Sequence, residues 1–146
     1  MNPVASNSPT WHRIAGVLIA LWAGSLWTIC AIVAPTLFAV LDNRHLAGDL
    51  AARFFHLETY LGVGIGAVVL ALSYFGKIQT LSRTAAFIAA GLPLLSQLVL
   101  SPLMQDARAV GNMTRFGMLH GISAACFLVA SVALIVLTWK FIRPAE

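Results

Sequence analysis

Four long apolar segments, each bounded by charged residues, constrain this chain more than any other feature of its sequence. They cover residues 14–41, 54–76, 84–105 and 116–139. Each reaches the roughly 20 residues that an α-helix needs to cross a hydrocarbon core of about 30 Å. Lipid offers the backbone no hydrogen bonds, and these segments are too long for barrel strands. We therefore expect four membrane-spanning helices.

The composition agrees with an all-α integral membrane protein. Of the 146 residues, 60% are hydrophobic and 10% are charged, whereas a soluble domain is about one-quarter charged. Short connections predict consecutive helices that run antiparallel, as one up-down four-helix bundle over residues 1–146. The first apolar segment exceeds the core of a signal peptide, which is roughly 7–15 residues long, so we expect it to be a mature helix.

The distribution of basic residues predicts the topology. With four spans, both termini lie on one side of the membrane. Near the span ends, that side carries five basic residues, and the opposite side carries four: Arg13, Lys77, Arg83, Lys140 and Arg143 against Arg44, Arg53, Arg108 and Arg115. The excess predicts cytoplasmic termini, in the inner (plasma) membrane if the protein is bacterial. Basic helix ends contact lipid headgroups, so the net charge of +4 indicates no nucleic-acid partner.

Small residues within the spans predict where helices pack closely. Gly62 and Gly66 are four residues apart in the second span, and Gly24 lies in a small-residue patch of the first. Such residues let helix backbones approach one another in lipid. We interpret Cys30 and Cys126 as small packing residues, because no Cys-x-x-Cys spacing is present; a paired-thiol, metal or redox role is the alternative.

Polar side chains inside the spans form the candidate ligand-binding site. These residues are His56, Glu58, Gln97, His120 and Ser123. A rise of about 1.5 Å per residue places all of them near the span ends opposite the termini. Polar groups are costly in hydrocarbon, so we expect an inward polar site near the non-cytoplasmic leaflet. The alternative is that they only hydrogen-bond one helix to another, at about 0.6 kcal/mol each.

The segments LWAGSLW, VAPTLF, HLAGDLAARFF and FGMLHGIS, in this order, resemble the transmembrane protein 205-like domain family of small four-helix membrane proteins. The resemblance extends over nearly the whole chain and implies a multi-pass domain of unknown function. The first span is also distantly similar to copper-resistance D-type membrane proteins and to membrane-type protoporphyrinogen oxidases. Those relatives carry a histidine about two turns before the tryptophan, whereas Ala15 stands at that spacing before Trp22.

Three functional hypotheses follow. The first is a non-enzymatic membrane protein that binds a small ligand, a metal or a partner through the inward site; a homo-oligomer or a membrane-protein partner is compatible with it. The second is copper or other metal handling, or a transport accessory role, with His56, His120 and Met118 as ligands, because imidazole and thioether suit Cu(I). The third is a haem or quinone redox enzyme. The sequence itself requires no cofactor.

Overall fold

The computed structural model describes residues 9–75, 78 and 83–142. Four helices within this part are long and apolar enough to cross a membrane: α1 (Thr10–Val40), α2 (Arg44–Tyr74), α3 (Arg83–Ala109) and α4 (Met113–Phe141). The described residues contain no strand. The prediction of an all-α protein with four spanning helices is therefore confirmed. Lys77 and Arg143, which entered the charge count, and Gly76, where the second apolar segment ends, lie outside the described residues.

The helices extend beyond the apolar segments that predict them. The second apolar segment begins at residue 54, but α2 begins at Arg44, where the side chain of Asn43 accepts hydrogen bonds from the backbone N–H groups of His45 and Leu46. Such a cap satisfies donors that the first helical turn leaves without partners. At about 1.5 Å per residue, the 31 residues of α2 exceed a hydrocarbon core of about 30 Å. Its polar first turns therefore reach beyond the hydrocarbon.

Two of the helices pass through a proline by way of a π-helical turn. In α1 the π-helical segment Ile29–Val33 precedes Pro35, and in α3 the segment Ser96–Leu100 precedes Pro102. Proline lacks a backbone N–H, and its ring crowds the carbonyl four residues earlier, so a regular α-helix is disturbed at that point. The wider π-helical turn absorbs this disturbance, and both helices continue beyond the proline.

The four helices pack as a ring. Helix α1 contacts α2 and α4, and α3 also contacts α2 and α4. Their shared core contains the fully buried side chains of Ile19, Leu26, Val69, Leu134 and Leu137. The outer surface is largely apolar, with many large aliphatic side chains exposed. A bundle with this surface fits a lipid bilayer as its environment.

Helices α1 and α2 pack tightly against each other at Trp22. A Cβ atom added at Gly62 would fall 2.9 Å from Trp22 Cε2, and one at Gly66 would fall 3.3 Å from Trp22 Cη2 and 3.2 Å from the Ala90 Cβ. Gly24 is different, because it is exposed and a Cβ there would meet nothing within 4 Å. The packing role predicted for Gly24 is therefore wrong. A helix turns about 100° per residue, so a residue two positions after Trp22 points away from the face that Trp22 buries.

Candidate functional site

The interior of the bundle contains a carboxyl group within a spanning helix. Glu58 of α2 is only 3% exposed, and it lies about 7.5 Å further along the helix than Arg53. From α1, Ser25 Oγ donates a hydrogen bond to Glu58 Oε1 at 3.1 Å, and the same hydroxyl lies 3.0 Å from the carbonyl oxygen of Trp22. Within the described part of the chain, no basic side chain forms an ion pair with Glu58. The carboxyl group is thus held by one hydroxyl.

A small cavity lies beside this carboxyl group. Its volume is about 10 Å³, and its lining includes Glu58, Thr59, Trp22, Gly62 and Pro93. A cavity of this size is at the lower limit for one water molecule, which needs about 10–15 Å³ by this measure. The Thr59 hydroxyl donates to the Phe55 carbonyl oxygen at 2.8 Å, so its oxygen, not its proton, is available to the cavity.

Helical spacing explains why these residues meet. Trp22 and Ser25 are three residues apart and share one face of α1, whereas Glu58 and Gly62 are four apart and share one face of α2. The missing side chain at Gly62 makes room for the indole of Trp22. Once that indole is in place, Ser25 lies one helical turn further along α1, opposite Glu58. The tight contact at Gly62 therefore positions the hydroxyl that binds the carboxyl group.

His56 and Gln97 meet, but on the outer surface of the bundle. His56 Nδ1 donates to Gln97 Oε1 at 3.4 Å and so joins α2 to α3, and the ring of His56 meets that of Tyr60 edge-on at 4.8 Å. His56 is exposed and Gln97 is half-buried. The inward orientation predicted for His56 is therefore wrong. Two residues span about 200° of a helix, so a buried Glu58 forces His56 to the outside.

His120 also lies on the outer surface. It is exposed and stacks on Phe116 of its own helix, with ring centroids 6.0 Å apart. Among the described residues, no hydrogen bond joins His120 to His56 or Gln97. Ser123, three residues later, instead points towards α3, where its Oγ lies 2.6 Å from Ser96 Oγ. The inward position predicted for His120 is therefore wrong. On this side of α4, Ser123 points towards α3 and His120 points outwards.

The hypothetical metal ligands do not share an interior position. His56, His120 and Met118 are all exposed. In residues 9–75, 78 and 83–142, no group of three or more His, Cys, Asp or Glu side chains could hold a metal ion. Cys30 and Cys126 are both free and half-buried. The three side chains predicted as copper ligands therefore lie on the outer surface and not in the interior.

Three polar contacts connect the helices in succession: Ser25 with Glu58, His56 with Gln97, and Ser96 with Ser123. Sequence reasoning selected four of these six side chains and missed Ser25 and Ser96. A serine within a span carries little signal, because serine is common there both as a small packing residue and as a hydrogen-bonding group. The position of Ser25 three residues after a tryptophan, and of Ser96 next to Gln97, are the available clues.

Comparison with known proteins finds one matching family, and the description of that family names no activity. The model of a family described as "Domain of unknown function (DUF4149)" matches residues 17–113. This range contains Ser25, Glu58 and Gln97, together with all of α2 and α3. Neither a curated protein nor a solved structure gives a significant match.

Proposed function

Because the chain belongs to the family described as Domain of unknown function (DUF4149), whose description states no activity, we propose a function from the geometry around Glu58. The protein is a multi-pass integral membrane protein. We propose that it is non-enzymatic and that Glu58 binds a proton or a small monovalent cation. The inward site then consists of Glu58, Ser25 and Thr59, and not of the two histidines.

The observation that carries this proposal is the burial of Glu58 without a basic partner. An isolated carboxylate is very costly in an apolar environment, and a single hydroxyl does not compensate for its lost hydration. Ionisable groups inside a span are accordingly associated with proton and ion pathways. A bound proton or cation would neutralise Glu58 where the described residues supply no positive charge.

The size and donor atoms of the site support this ligand class. A cavity of about 10 Å³ has no room for haem, a quinone or another organic molecule. The polar atoms at Glu58 are carboxylate and hydroxyl oxygens, which suit hard cations, whereas Cu(I) prefers sulfur and imidazole nitrogen. The geometry therefore favours proton or cation binding over the copper and redox hypotheses.

We also infer an antiparallel, up-down arrangement, and the order of contacts between α1 and α2 supports it. Going backwards along α1, Phe38 lies 3.9 Å from a Cβ at Gly48, Ser25 bonds to Glu58, and Trp22 meets Gly62. The basic-residue count favours a non-cytoplasmic position for the end of the bundle that carries the connection between α1 and α2.

The order of the motifs in the sequence supports a relationship to the transmembrane protein 205-like domain family.

Ligand-linked thermal stability in detergent tests the proposal. A ligand that binds only the folded state raises the midpoint of unfolding. Wild-type protein should gain stability from lithium, sodium or potassium chloride relative to choline chloride. If the ligand is a proton, the wild type should instead gain stability as the pH is lowered. Glu58→Gln should lose this response, while the glutamine can still accept the hydrogen bond from Ser25.

Asp106→Asn is the matched control for this experiment. Asp106 is an exposed carboxylate, and its side chain has no partner in the described part of the chain. The Asp106→Asn variant should respond to cations and pH as the wild type does. A Glu58→Gln variant that responds to the same extent as wild type would contradict the proposed function.

A further inference from the structure

Polar side chains line the outer surface between α2 and α3, at the end of the bundle that carries the α1–α2 and α3–α4 connections; we call the region between these two sets of side chains the polar groove. Three residues on α2 follow one another at spacings of three and four, and three on α3 at spacings of four, so each set shares a helix face. The two sets are Arg53, His56 and Tyr60 on α2, and Gln97, Ser101 and Gln105 on α3. All six side chains are exposed or half-buried.

Two side-chain bridges bound this groove. His56 reaches Gln97 at 3.4 Å, and nearer the connections Arg108 Nη1 donates to Asp49 Oδ1 at 3.1 Å. Between the two bridges, α2 and the last part of α3 pack against different neighbours. Helix α2 packs against Arg83–Leu95 of α3, whereas Ser101–Ala109, after the π-helical turn, packs against α4. The groove therefore opens sideways towards the lipid.

The depth of the groove places it at the boundary between lipid headgroups and hydrocarbon. Arg53 is the last charged residue before the long apolar segment of α2. His56 and Tyr60 lie about 4.5 Å and about 10.5 Å further along the helix axis. Beside them, Leu57 and Leu61 are large exposed apolar side chains. A molecule that fits this surface combines a polar headgroup with acyl chains.

The donors in the groove indicate the headgroup. The Arg53 guanidinium and the Tyr60 hydroxyl have no hydrogen-bond partner among residues 9–75, 78 and 83–142. Polar groups at this depth are costly when they have no partner. A guanidinium is a recurring ligand of phosphate oxygens, and a hydroxyl on the same helix face can donate to the same phosphate group. We propose that this groove binds the phosphate headgroup of an anionic phospholipid, whose acyl chains lie along Leu57 and Leu61.

In this complex Arg53 supplies the positive charge, and Tyr60 donates to a phosphate oxygen from deeper in the groove. The side chains of a helix lean towards its N-terminus, so the ring of Tyr60 leans towards His56 and the headgroup level. The 4.8 Å edge-on contact between the two rings holds Tyr60 in that direction. This site lies outside the bundle and is separate from Glu58, so it does not depend on the proposed function.

Native mass spectrometry of the purified full-length protein tests the lipid site. Phosphatidylglycerol is titrated against phosphatidylcholine, and the retained lipid is counted for each variant. Loss of one charge-assisted contact should lower the affinity of Arg53→Gln for phosphatidylglycerol about tenfold. Tyr60→Phe should lower it by a few-fold. Arg44→Gln is the matched control, because Arg44 is an exposed basic residue on the same helix outside the groove; its lipid binding should equal that of wild type.

Four outcomes would overturn the lipid proposal. Arg53→Gln and Arg44→Gln could retain phosphatidylglycerol equally, or wild-type protein could retain both lipids equally. Inorganic phosphate alone could displace the lipid, which would assign the groove to free phosphate. The mass spectra could instead show a dimer that Arg53→Gln dissociates, which would assign the groove to a second copy of the chain. Thermal unfolding of Tyr60→Phe is the control for folding. An unchanged midpoint of unfolding shows that this variant binds less lipid while it remains folded.

Discussion

Glycine has opposite surroundings at nearby positions of this chain, and sequence spacing does not distinguish them. Gly62 is buried against Trp22, whereas Gly64 and Gly24 are exposed with open space at the Cβ position. All three lie in small-residue patterns that favour helix packing in membranes. What separates them is the rotation of each helix about its axis, which depends on its neighbours. A single sequence therefore predicts that some glycines pack, but not which ones.

Alanine substitutions at positions 62 and 64 test the packing at the residue scale. A methyl group at position 62 would overlap the indole of Trp22, so Gly62→Ala should lower the free energy of unfolding by about 1–3 kcal/mol. Gly64→Ala adds a methyl group to open space and should leave stability unchanged or slightly higher, because alanine favours helix. Thermal unfolding in detergent measures both. Equal effects at the two positions would contradict the packing of Trp22 against Gly62.

The polar residues show the same division between what the sequence reveals and what it omits. Glu58 could be recognised from the sequence as a candidate site residue, because a carboxylate within a span is unusual. The sequence did not reveal Ser25, because the partner lies on another helix and serine is common within spans. It also predicted two inward histidines that the structure places outside. Neighbouring helices decide which face of a helix is inward, so the position of a residue along its helix was predictable and its direction was not.

At the element scale, α3 and α4 are joined by two serine hydroxyls at 2.6 Å. Ser96→Ala and Ser123→Ala should each destabilise the protein by about 0.6 kcal/mol, and by no more than about 1.7 kcal/mol. The double variant should be scarcely worse than either single variant, because both remove the same bond. Ser101→Ala, which affects only a contact within α3, serves as the control. Strictly additive effects in this double-mutant cycle would show that the two hydroxyls do not interact.

Arg108 connects three helices at the end of the bundle near the connections. Its guanidinium donates to Asp49 on α2 and lies 4.8 Å from the ring centroid of Phe116 on α4. The Asp49 carboxylate is largely exposed, so the ion pair contributes little, and the aromatic contact adds a comparable amount.

Arg108→Gln should therefore destabilise the protein by about 1–2 kcal/mol at low salt. Part of this difference should disappear at high salt, because the exposed ion pair is screened. Arg44→Gln removes an exposed charge without these contacts and should have little effect. Chemical unfolding at two salt concentrations measures both variants. A destabilisation of Arg108→Gln that does not change with salt would contradict a contribution from the ion pair.

At the scale of the whole molecule, the number of helices was predictable because hydropathy is local and lipid permits few alternatives to a helix. The helix ends were less predictable. Asn43 and the polar turn after it extend α2 outside the apolar segment, and hydropathy gives no sign of this extension. The π-helical turns depend on how the chain accommodates Pro35 and Pro102. They become visible only in the backbone geometry.

Cysteine labelling tests the up-down arrangement. In a variant without Cys30 and Cys126, single cysteines at positions 42 and 110 should react with a membrane-impermeant maleimide from the same side of the membrane. A cysteine at position 10, at the start of α1, should react from the opposite side. The basic-residue count predicts that position 10 lies on the cytoplasmic side. Labelling of positions 42 and 110 from different sides would contradict the arrangement.

The binding of a proton or cation by Glu58 is the central claim, and infrared spectroscopy of the protein in lipid vesicles tests it most directly. A carboxyl group and a carboxylate absorb at different frequencies, so difference spectra recorded with and without added cation, or between two pH values, report the state of this group. We predict a carboxyl band that changes on titration in the wild type and in Asp106→Asn, and that is missing in Glu58→Gln. A Glu58→Gln variant with the same difference spectrum as wild type would contradict the claim.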